Sequence, residues 1–133
     1  MNSGIFENFG VGIDIERCES FRFSGNNQDK FLNNIFTNTE KTYCLKTESP
    51  HIHFCARFAA KEAAIKALSS INIINIPLRE IEISNWNSGV PEIQINGNNK
   101  DNKYPNLKLK VSLSHTDEYA IAIVIVFMLG EFQ

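Results

Sequence analysis

The chain contains 133 residues, of which 43% are hydrophobic and 21% are charged. This composition excludes wholesale disorder, and the length suits one domain with a real core, so we interpret residues 1–133 as a single domain. The formal net charge of −2 gives no basis for binding to nucleic acid or to a membrane.

The first predicted element is a strand that carries two acids. Residues 1–8 are expected to be a frayed start, and the strand follows over residues 10–16 with the sequence GVGIDIE. Its β-branched residues alternate with a glycine and two acids, so Asp14 and Glu16 point to the same face of the strand. Residues 17–27 are polar and are expected to be partly irregular.

Three helices are predicted next. Apolar residues between positions 31 and 36 mark a short helix, and the sequence TNTE at residues 37–40 matches a capping box that starts a second one. The longest helix covers residues 54–68, which are rich in Ala, Lys, Glu and Leu and contain no Gly or Pro. Ser49-Pro50 before it suits an N-cap followed by proline at the first helical position.

The helix over residues 54–68 has two apolar faces, one of bulky side chains and one of alanines. Such a helix should be central, and its charged residues should lie in the seams between its neighbours. Lys61 falls within the bulky stripe, and Arg57, Glu62 and Lys66 lie between the two faces. The plain alternative is a Glu62–Lys66 pair with Lys61 extending its amine to solvent.

The second half of the chain is predicted to be strands connected by turns. The strands cover residues 78–84, 92–95, 107–114 and 119–128, and the last of them reads as buried. The turns cover residues 85–91 and 115–118, and a polar loop covers residues 96–106. This element order predicts an α+β domain in which a mostly antiparallel sheet packs on the long central helix.

The cysteines and the hydrophobic runs bear on the compartment. Cys18, Cys44 and Cys55 are odd in number and lack metal-binding spacing, which favours reduced thiols. No signal peptide is predicted, and the longest apolar run, residues 120–129, is too short to span a membrane. We therefore expect a cytoplasmic protein.

Three polar clusters end or interrupt the apolar elements. They are Asp14 and Glu16; Arg57, Lys61, Glu62 and Lys66; and Ser112, Ser114, His115 and Thr116. Acids on a strand end and on a facing helix suit Mg²⁺, which takes a few carboxylate oxygens and keeps waters or phosphate oxygens. Basic residues beside them would hold further phosphates. Taken singly, the Asp-x-Glu pair is better explained as an exposed strand-end pair, and the lone histidine as a structural histidine.

Three motifs occur in order along nearly the whole chain: GVGIDIE at residues 10–16, RFAAKEA at residues 57–63 and SLSHTDEYAIA at residues 112–122. Together they resemble the phosphopantetheinyl transferases. The chain length and the RFAAKEA sequence resemble the short holo-acyl-carrier-protein synthase type. Glu16 in the first motif, and FTNTE at residues 36–40, resemble the longer relatives that contain two copies of the unit.

The resemblance implies the 4′-phosphopantetheinyl transferase-like fold and transfer of the 4′-phosphopantetheine arm of coenzyme A to a serine of an apo acyl carrier protein. The other product would be 3′,5′-adenosine bisphosphate. By motif position, Asp14 and Glu62 would be catalytic and would ligate Mg²⁺, with Glu16 as a further ligand, directly or through water. Glu62 or a metal-bound water would accept the serine proton. The implied coenzyme A contacts are Arg57, Lys61, Lys66, Ser114, His115 and Thr116.

The resemblance also implies an assembly and a partner surface. A short chain would form a cyclic homotrimer with its sites between copies, packed through the alanine face of the helix over residues 54–68 and the strand over residues 119–128. Carrier proteins are typically acidic, so a locally basic surface of Arg17, Arg22 and Lys30 is expected to bind them. Fatty-acid, polyketide and peptide synthesis all remain open as the carrier's pathway.

Two other functions remain open at this point. One is a non-catalytic module that holds coenzyme A or a carrier protein without turnover, and the other is an unrelated Mg²⁺-dependent phosphohydrolase. A changed Asp14 or Glu62 would favour the module, but both positions are acids. The transferase is the function that the three motifs together predict.

Overall fold

The computed structural model describes residues 6–22, 28–85, 87–96 and 104–130. The strands are β1 (Phe6–Arg17), β2 (Ile81–Asn85), β3 (Pro91–Ile95), β4 (Leu107–His115) and β5 (Tyr119–Leu129). The α-helices are α1 (Gln28–Ile35), α2 (Asn38–Leu45) and α3 (Pro50–Ser69), and single 3₁₀ turns cover Cys18–Phe21 and Leu78–Glu80. The predicted α+β class is confirmed.

Two antiparallel sheets surround α3. One has three strands in the order β1-β5-β4, and the other is the β2–β3 hairpin. In the larger sheet Glu16 lies opposite Ala120, which lies opposite His115 on the other side. Residues directly opposite one another share a sheet face, so one end of this sheet carries Glu16 and His115 on the same face.

The alanine face of α3 lies directly on β1. A methyl group added at Gly12 would lie 1.9 Å from the carbonyl oxygen of Ala63, and one at Gly10 would lie 2.4 Å from that of Ala67. Backbones can approach this closely only where side chains are absent or very small. The prediction that these alanines pack between protomers is therefore wrong, because the same chain's sheet covers them.

The bulky side of α3 packs against the two shorter helices and the first 3₁₀ turn. Phe36 and Phe54 have ring centroids 4.9 Å apart, within a cluster that also buries Cys18, Cys44 and Cys55. All three cysteines carry free thiols. Both apolar faces of α3 are thus buried, as their composition predicts.

The helix starts follow the predicted signals. Thr37 and Glu40 form the reciprocal capping box, with the Glu40 amide 3.2 Å from Thr37 Oγ1 and the Thr37 amide 2.8 Å from Glu40 Oε1. Pro50 opens α3 after Ser49, although the Ser49 side chain makes no capping hydrogen bond. No helix in the described ranges is long and apolar enough to cross a membrane.

Five expectations differ from the structure or lie outside it. β1 is already formed at Phe6, inside the expected frayed start, because it pairs with β5 along its whole length. β2 begins three residues late, because the chain first makes a 3₁₀ turn at Leu78–Glu80. β5 is buried on one face only, because the other face has no covering element in the described chain. Most of the predicted 96–106 loop, and part of the predicted irregular segment, lie outside the described residues.

Candidate active site

Three carboxylates come together between β1 and α3. Asp14 and Glu16 lie on the β1 face that looks toward α3, and Glu62 lies on α3. Burial, the adjacent Asp14 carboxylate and the charge of Glu62 raise the pKa of Glu16 to about 7, while Lys66 acts to lower it. Burial and the charge of Asp14 likewise raise the pKa of Glu62. The three acids are therefore within electrostatic range of one another.

Asp14 leaves one of its oxygens unused. Its side chain is 13% exposed, and Oδ2 is buried without a hydrogen-bond donor in the described structure when Glu16 is ionised, whereas a protonated Glu16 can donate to the Asp14 carboxylate. An unsatisfied buried acceptor costs about 1–3 kcal/mol, more when charged, so this oxygen suits a ligand that is bound during function. An all-carboxylate donor set fits Mg²⁺ in particular. No group of three or more His, Cys, Asp or Glu side chains in the described ranges is placed to hold an ion.

Lys66 pairs with Asp14 rather than with Glu62. Its Nζ lies 3.3 Å from Asp14 Oδ1 and donates a hydrogen bond of 3.0 Å to the carbonyl oxygen of Ile13. The Lys66 side chain is 56% exposed, so its ammonium faces both the acids and solvent. It can therefore reach an anionic ligand beside the carboxylates.

Lys61 is placed differently from the prediction. It is fully buried, with Nζ 2.8 Å from Glu40 Oε1 and 3.0 Å from the carbonyl oxygen of Leu78, and it also donates to the carbonyl oxygen of Ile81. Glu40 is also fully buried, and its Oε2 accepts from the amide of Ile83 at 2.8 Å. The expectation that Lys61 contacts coenzyme A is corrected: its three donors are used to join α2, α3 and the hairpin. The snorkelling alternative is wrong for the same reason.

Arg57 is also mostly enclosed by protein. Its guanidinium lies over the ring of Tyr43, with Cζ 4.1 Å from the centroid, and donates from Nη2 to Asn85. Its Nε is buried without a hydrogen-bond partner in the described chain. At 2% exposure Arg57 can offer a ligand at most this edge of its side chain.

A row of rings leads from Arg57 to His115. The centroids of Tyr43 and His53 are 5.8 Å apart, and those of His53 and His115 are 6.2 Å apart. Burial lowers the pKa of His53, and the charges of Arg57 and His115 act in the same direction. His115 itself is exposed at the end of β4. The rings of Tyr43 and His53 thus extend the predicted site, although sequence reasoning did not select them.

The structure does not bring Ser114 and Thr116 to the side chain of His115. Ser114 lies opposite Ile121, on the sheet face away from α3. Thr116 Oγ1 accepts from the amides of Glu118 and Tyr119, both at 3.1 Å, and so shapes the β4–β5 turn. Within one protomer Ser114 therefore faces away from the side chain of His115, whereas the exposed Thr116 hydroxyl accepts two amides and keeps its O–H group to donate.

In one protomer the site is open to solvent, since Lys66 and His115 are exposed and Asp14, Glu16 and Glu62 are half-buried. A cleft of about 730 Å³ lies between β3 and β4, but none of the predicted site residues lines it. The acids and His115 instead lie on the α3 side of the larger sheet, at the same end.

The acid cluster predicts a pH dependence of the metal-free protein. The folded-state pKa of Glu16, about 7, lies above its ordinary value of 4.5, so the folded state retains a proton that the unfolded state releases. The contribution of Glu16 to the free energy of unfolding should therefore be fully present below pH 4.5 and should be lost as the pH rises to about 7. Thermal unfolding in chelator should show this loss in the wild type and a shallower one in Glu16→Gln. Equal slopes would contradict the repulsion between the acids.

Comparison with known proteins agrees with this architecture. The family profile of the 4′-phosphopantetheinyl transferase superfamily matches residues 10–124. A holo-[acyl-carrier-protein] synthase from Thermodesulfovibrio yellowstonii is 39% identical over 118 residues, which are 88% of this chain and 96% of that protein. The synthase from Protochlamydia amoebophila is 35% identical over 117 residues, or 87% of this chain and 95% of that protein.

Solved structures agree as well. The coenzyme A complex of the Chronobacterium ammoniagenes protein called ACPS has a TM-score of 0.76 at 25% identity and covers 92% of this chain and 98% of that one. A holo-(acyl-carrier-protein) synthase from Bacillus anthracis str. Ames in complex with CoA (3′,5′-ADP) has a TM-score of 0.70 at 27% identity, covering 90% and 96%. These structures confirm the fold that the motifs implied. Together with the profile match over most of its length, they show that the chain belongs to the 4′-phosphopantetheinyl transferase superfamily.

Proposed function

We propose that this protein transfers 4′-phosphopantetheine from coenzyme A to a serine of an apo acyl carrier protein, in a Mg²⁺-dependent reaction that releases 3′,5′-adenosine bisphosphate. The observation that carries the proposal is the group of three acids between β1 and α3, with the buried unpartnered Asp14 Oδ2 among them. The names of the relatives and the two coenzyme A complexes support the substrate and the acceptor.

Each site residue has a role that its surroundings favour. Asp14 and Glu62 would hold Mg²⁺, with Glu16 at its edge, and the bound ion would neutralise pyrophosphate charge. Lys66 has an exposed ammonium that would bind a phosphate of coenzyme A, because it lies beside the acids and its side chain is 56% exposed. His115, exposed at the same end of the sheet, would bind another part of that ligand.

Glu62 is suited to accept the proton of the incoming serine. Burial and the charge of Asp14 raise its pKa in the metal-free protein. A bound Mg²⁺ would counteract that rise, so a metal-bound water is the other candidate acceptor. Phosphoryl transfer otherwise depends on charge neutralisation and in-line positioning more than on covalent participation. The chain's contribution is therefore to hold the pyrophosphate beside Glu62.

Product analysis with coenzyme A labelled in its pantetheine arm tests this function. Label in the carrier protein supports the transferase. Binding without turnover would instead identify a module that holds coenzyme A, and release of labelled phosphopantetheine into solution would identify a phosphohydrolase. A cytoplasmic location and a role in fatty acid biosynthesis and lipid metabolism belong to the same proposal.

A homotrimer is also part of the proposal. The face of the larger sheet that points away from α3 exposes apolar side chains: Phe9, Val11, Ile13 and Ile15 of β1 are 53–65% exposed, and Tyr119, Ile121 and Ile123 of β5 are 37–45% exposed. A contiguous apolar surface of this kind usually marks a protein interface. We name it the outer sheet face, and it replaces the alanine face of α3 as the expected contact between protomers. The open site of one protomer is the second supporting observation.

A charge on the outer sheet face should dissociate the trimer. Val11→Lys places an ammonium where β1 meets β5, and its burial without a partner in an interface would be strongly unfavourable. Light scattering should show a trimer for the wild type and a monomer for the variant, with transfer activity lost in parallel. Ile74→Lys, at an apolar side chain that is 63% exposed elsewhere, is the matched control and should remain a trimer. A fully active wild-type monomer would refute the assembly.

The carrier protein is proposed to bind near the end of β1. Arg17, Arg22 and Lys30 are exposed there, and among the described residues Arg22 pairs with an exposed Glu19 at 2.9 Å, a contact that contributes little to stability. Charge reversal of Arg17 and Arg22 should raise the KM for the carrier about tenfold and reduce its salt dependence, because long-range attraction is lost. Arg79→Glu, on the second 3₁₀ turn, is the control. A change confined to the KM for coenzyme A would show that the carrier protein does not bind at these residues.

A further inference from the structure

Two lysines of α3 differ sharply in how firmly they are held. Lys61 is fully buried, and its ammonium makes three contacts with protein oxygens. Lys66, five residues later, is 56% exposed, and in the described part of the chain it is held by Asp14 Oδ1 and the carbonyl oxygen of Ile13. The first lysine is fixed in the fold, whereas the second can leave its partners by a rotation of its side chain into solvent.

Lys66 lies where it offsets the charge of the acids. It is the cation that contacts Asp14 in the described structure, at 3.3 Å from Oδ1. Glu16 and Glu62 lie close enough for the charge of Lys66 to be felt by both. Without a cation here, three neighbouring carboxylates would repel one another. The pairing with Lys66 is one-sided, because Oδ2 of Asp14 remains without a partner.

We propose that Lys66 is the internal counter-ion of the metal-free site and that a divalent cation displaces it. This inference rests on the proposed Mg²⁺ site. A divalent ion bound by Asp14 carries more charge than an ammonium and repels it at such short range. The exposed side chain allows the ammonium to swing away at little cost, and it remains near enough to bind a phosphate that enters with the metal. Lys66 would thus neutralise the acids in the metal-free site and bind a phosphate in the metal-loaded site.

The first test measures the binding of Mg²⁺ alone, without coenzyme A or carrier protein. By calorimetry or by metal-dependent thermal shift, Lys66→Met should bind Mg²⁺ about two- to fivefold more tightly than the wild type, the factor that corresponds to an exposed ion pair. Lys46→Met, at the exposed end of α2, removes the same charge away from the site and should change nothing. Equal or weaker binding by Lys66→Met would overturn the proposal.

The second test separates displacement from simple repulsion. Reductive ¹³C-methylation keeps the charge of lysine, and the Lys66 signal can be assigned from its absence in Lys66→Arg. In the metal-free protein this signal should differ from those of freely exposed lysines, and it should move toward them as Mg²⁺ saturates the site. A signal that stays unchanged through saturation, or a wild type that binds no Mg²⁺, would overturn the inference. Carrier labelling is measured separately, so failure here is distinct from failure of the proposed transferase.

Discussion

Glu62→Ala should reduce phosphopantetheine transfer by at least about a thousandfold while leaving metal-free stability unchanged or improved. The loss is expected because Glu62 is proposed both to ligate the metal and to accept the serine proton, and single groups of such kinds are worth about 10²–10⁴ in rate. The metal-free stability should be retained because removing Glu62 also removes its repulsion with the neighbouring carboxylates, which contributes to its raised pKa. Asp14→Ala should lose as much activity, because Asp14 is the other residue proposed to hold Mg²⁺. The variant should remain stable, because the Lys66 ammonium that it leaves unpaired is exposed to solvent.

Thermal unfolding and single-turnover transfer, each with and without Mg²⁺ and coenzyme A, measure both halves of this prediction. Glu16→Ala should be milder, because water can replace a peripheral ligand of an ion that keeps several waters. Glu48→Ala, at an exposed acid outside the site, is the control. A large loss of metal-free stability with preserved activity would show that the acids serve as structural ion-pair partners instead.

Lys61→Met should destabilise the fold by about 3–5 kcal/mol, the usual cost of leaving one member of a buried ion pair alone. Glu40 would keep its contacts with the amides of Thr37 and Ile83 but lose its countercharge at 2.8 Å, and the carbonyl oxygens of Leu78 and Ile81 would lose their donor. Urea unfolding measures the loss. A stable Lys61→Met variant with weakened coenzyme A binding would show that Lys61 contacts coenzyme A after all.

Substitution of Glu40, the ion-pair partner of Lys61, tests whether the loss of stability comes from an unpaired buried charge. Glu40→Gln alone should also be destabilising, because it leaves the ammonium of Lys61 buried without a countercharge. The double variant Lys61→Met with Glu40→Gln should recover part of the loss, since no unpaired charge remains inside. Strict additivity of the two single losses would mean that the pair does not interact energetically.

The elements were predictable where local pattern determines them. The capping box at Thr37 and Glu40 depends on four consecutive residues, and the two apolar faces of α3 follow from its period, so both could be read from the sequence. The shared face of Asp14 and Glu16 follows from the alternation of a strand. That Glu62 would lie near them came from the family motifs, since distance along the chain carries no such information.

The wrong predictions concern residues whose surroundings depend on contacts between distant parts of the chain. A helical projection places Lys61 in an apolar stripe but cannot show that Glu40, which looked like a capping residue only, supplies the countercharge from α2. Likewise, alternation assigns Ser114 and His115 to opposite faces, yet the shared motif suggested a shared ligand. The run of apolar residues in β5 indicated burial of both faces, whereas a single protomer covers only one.

Intact mass spectrometry of an apo acyl carrier protein, after incubation with this protein, coenzyme A and Mg²⁺, tests the proposed transfer most directly. We expect a carrier heavier by one phosphopantetheine group at its serine, formed with equimolar 3′,5′-adenosine bisphosphate and abolished by chelator or by Glu62→Ala. An unchanged mass for apo carriers of fatty-acid, polyketide and peptide synthesis alike, with folded and metal-loaded protein, would contradict it.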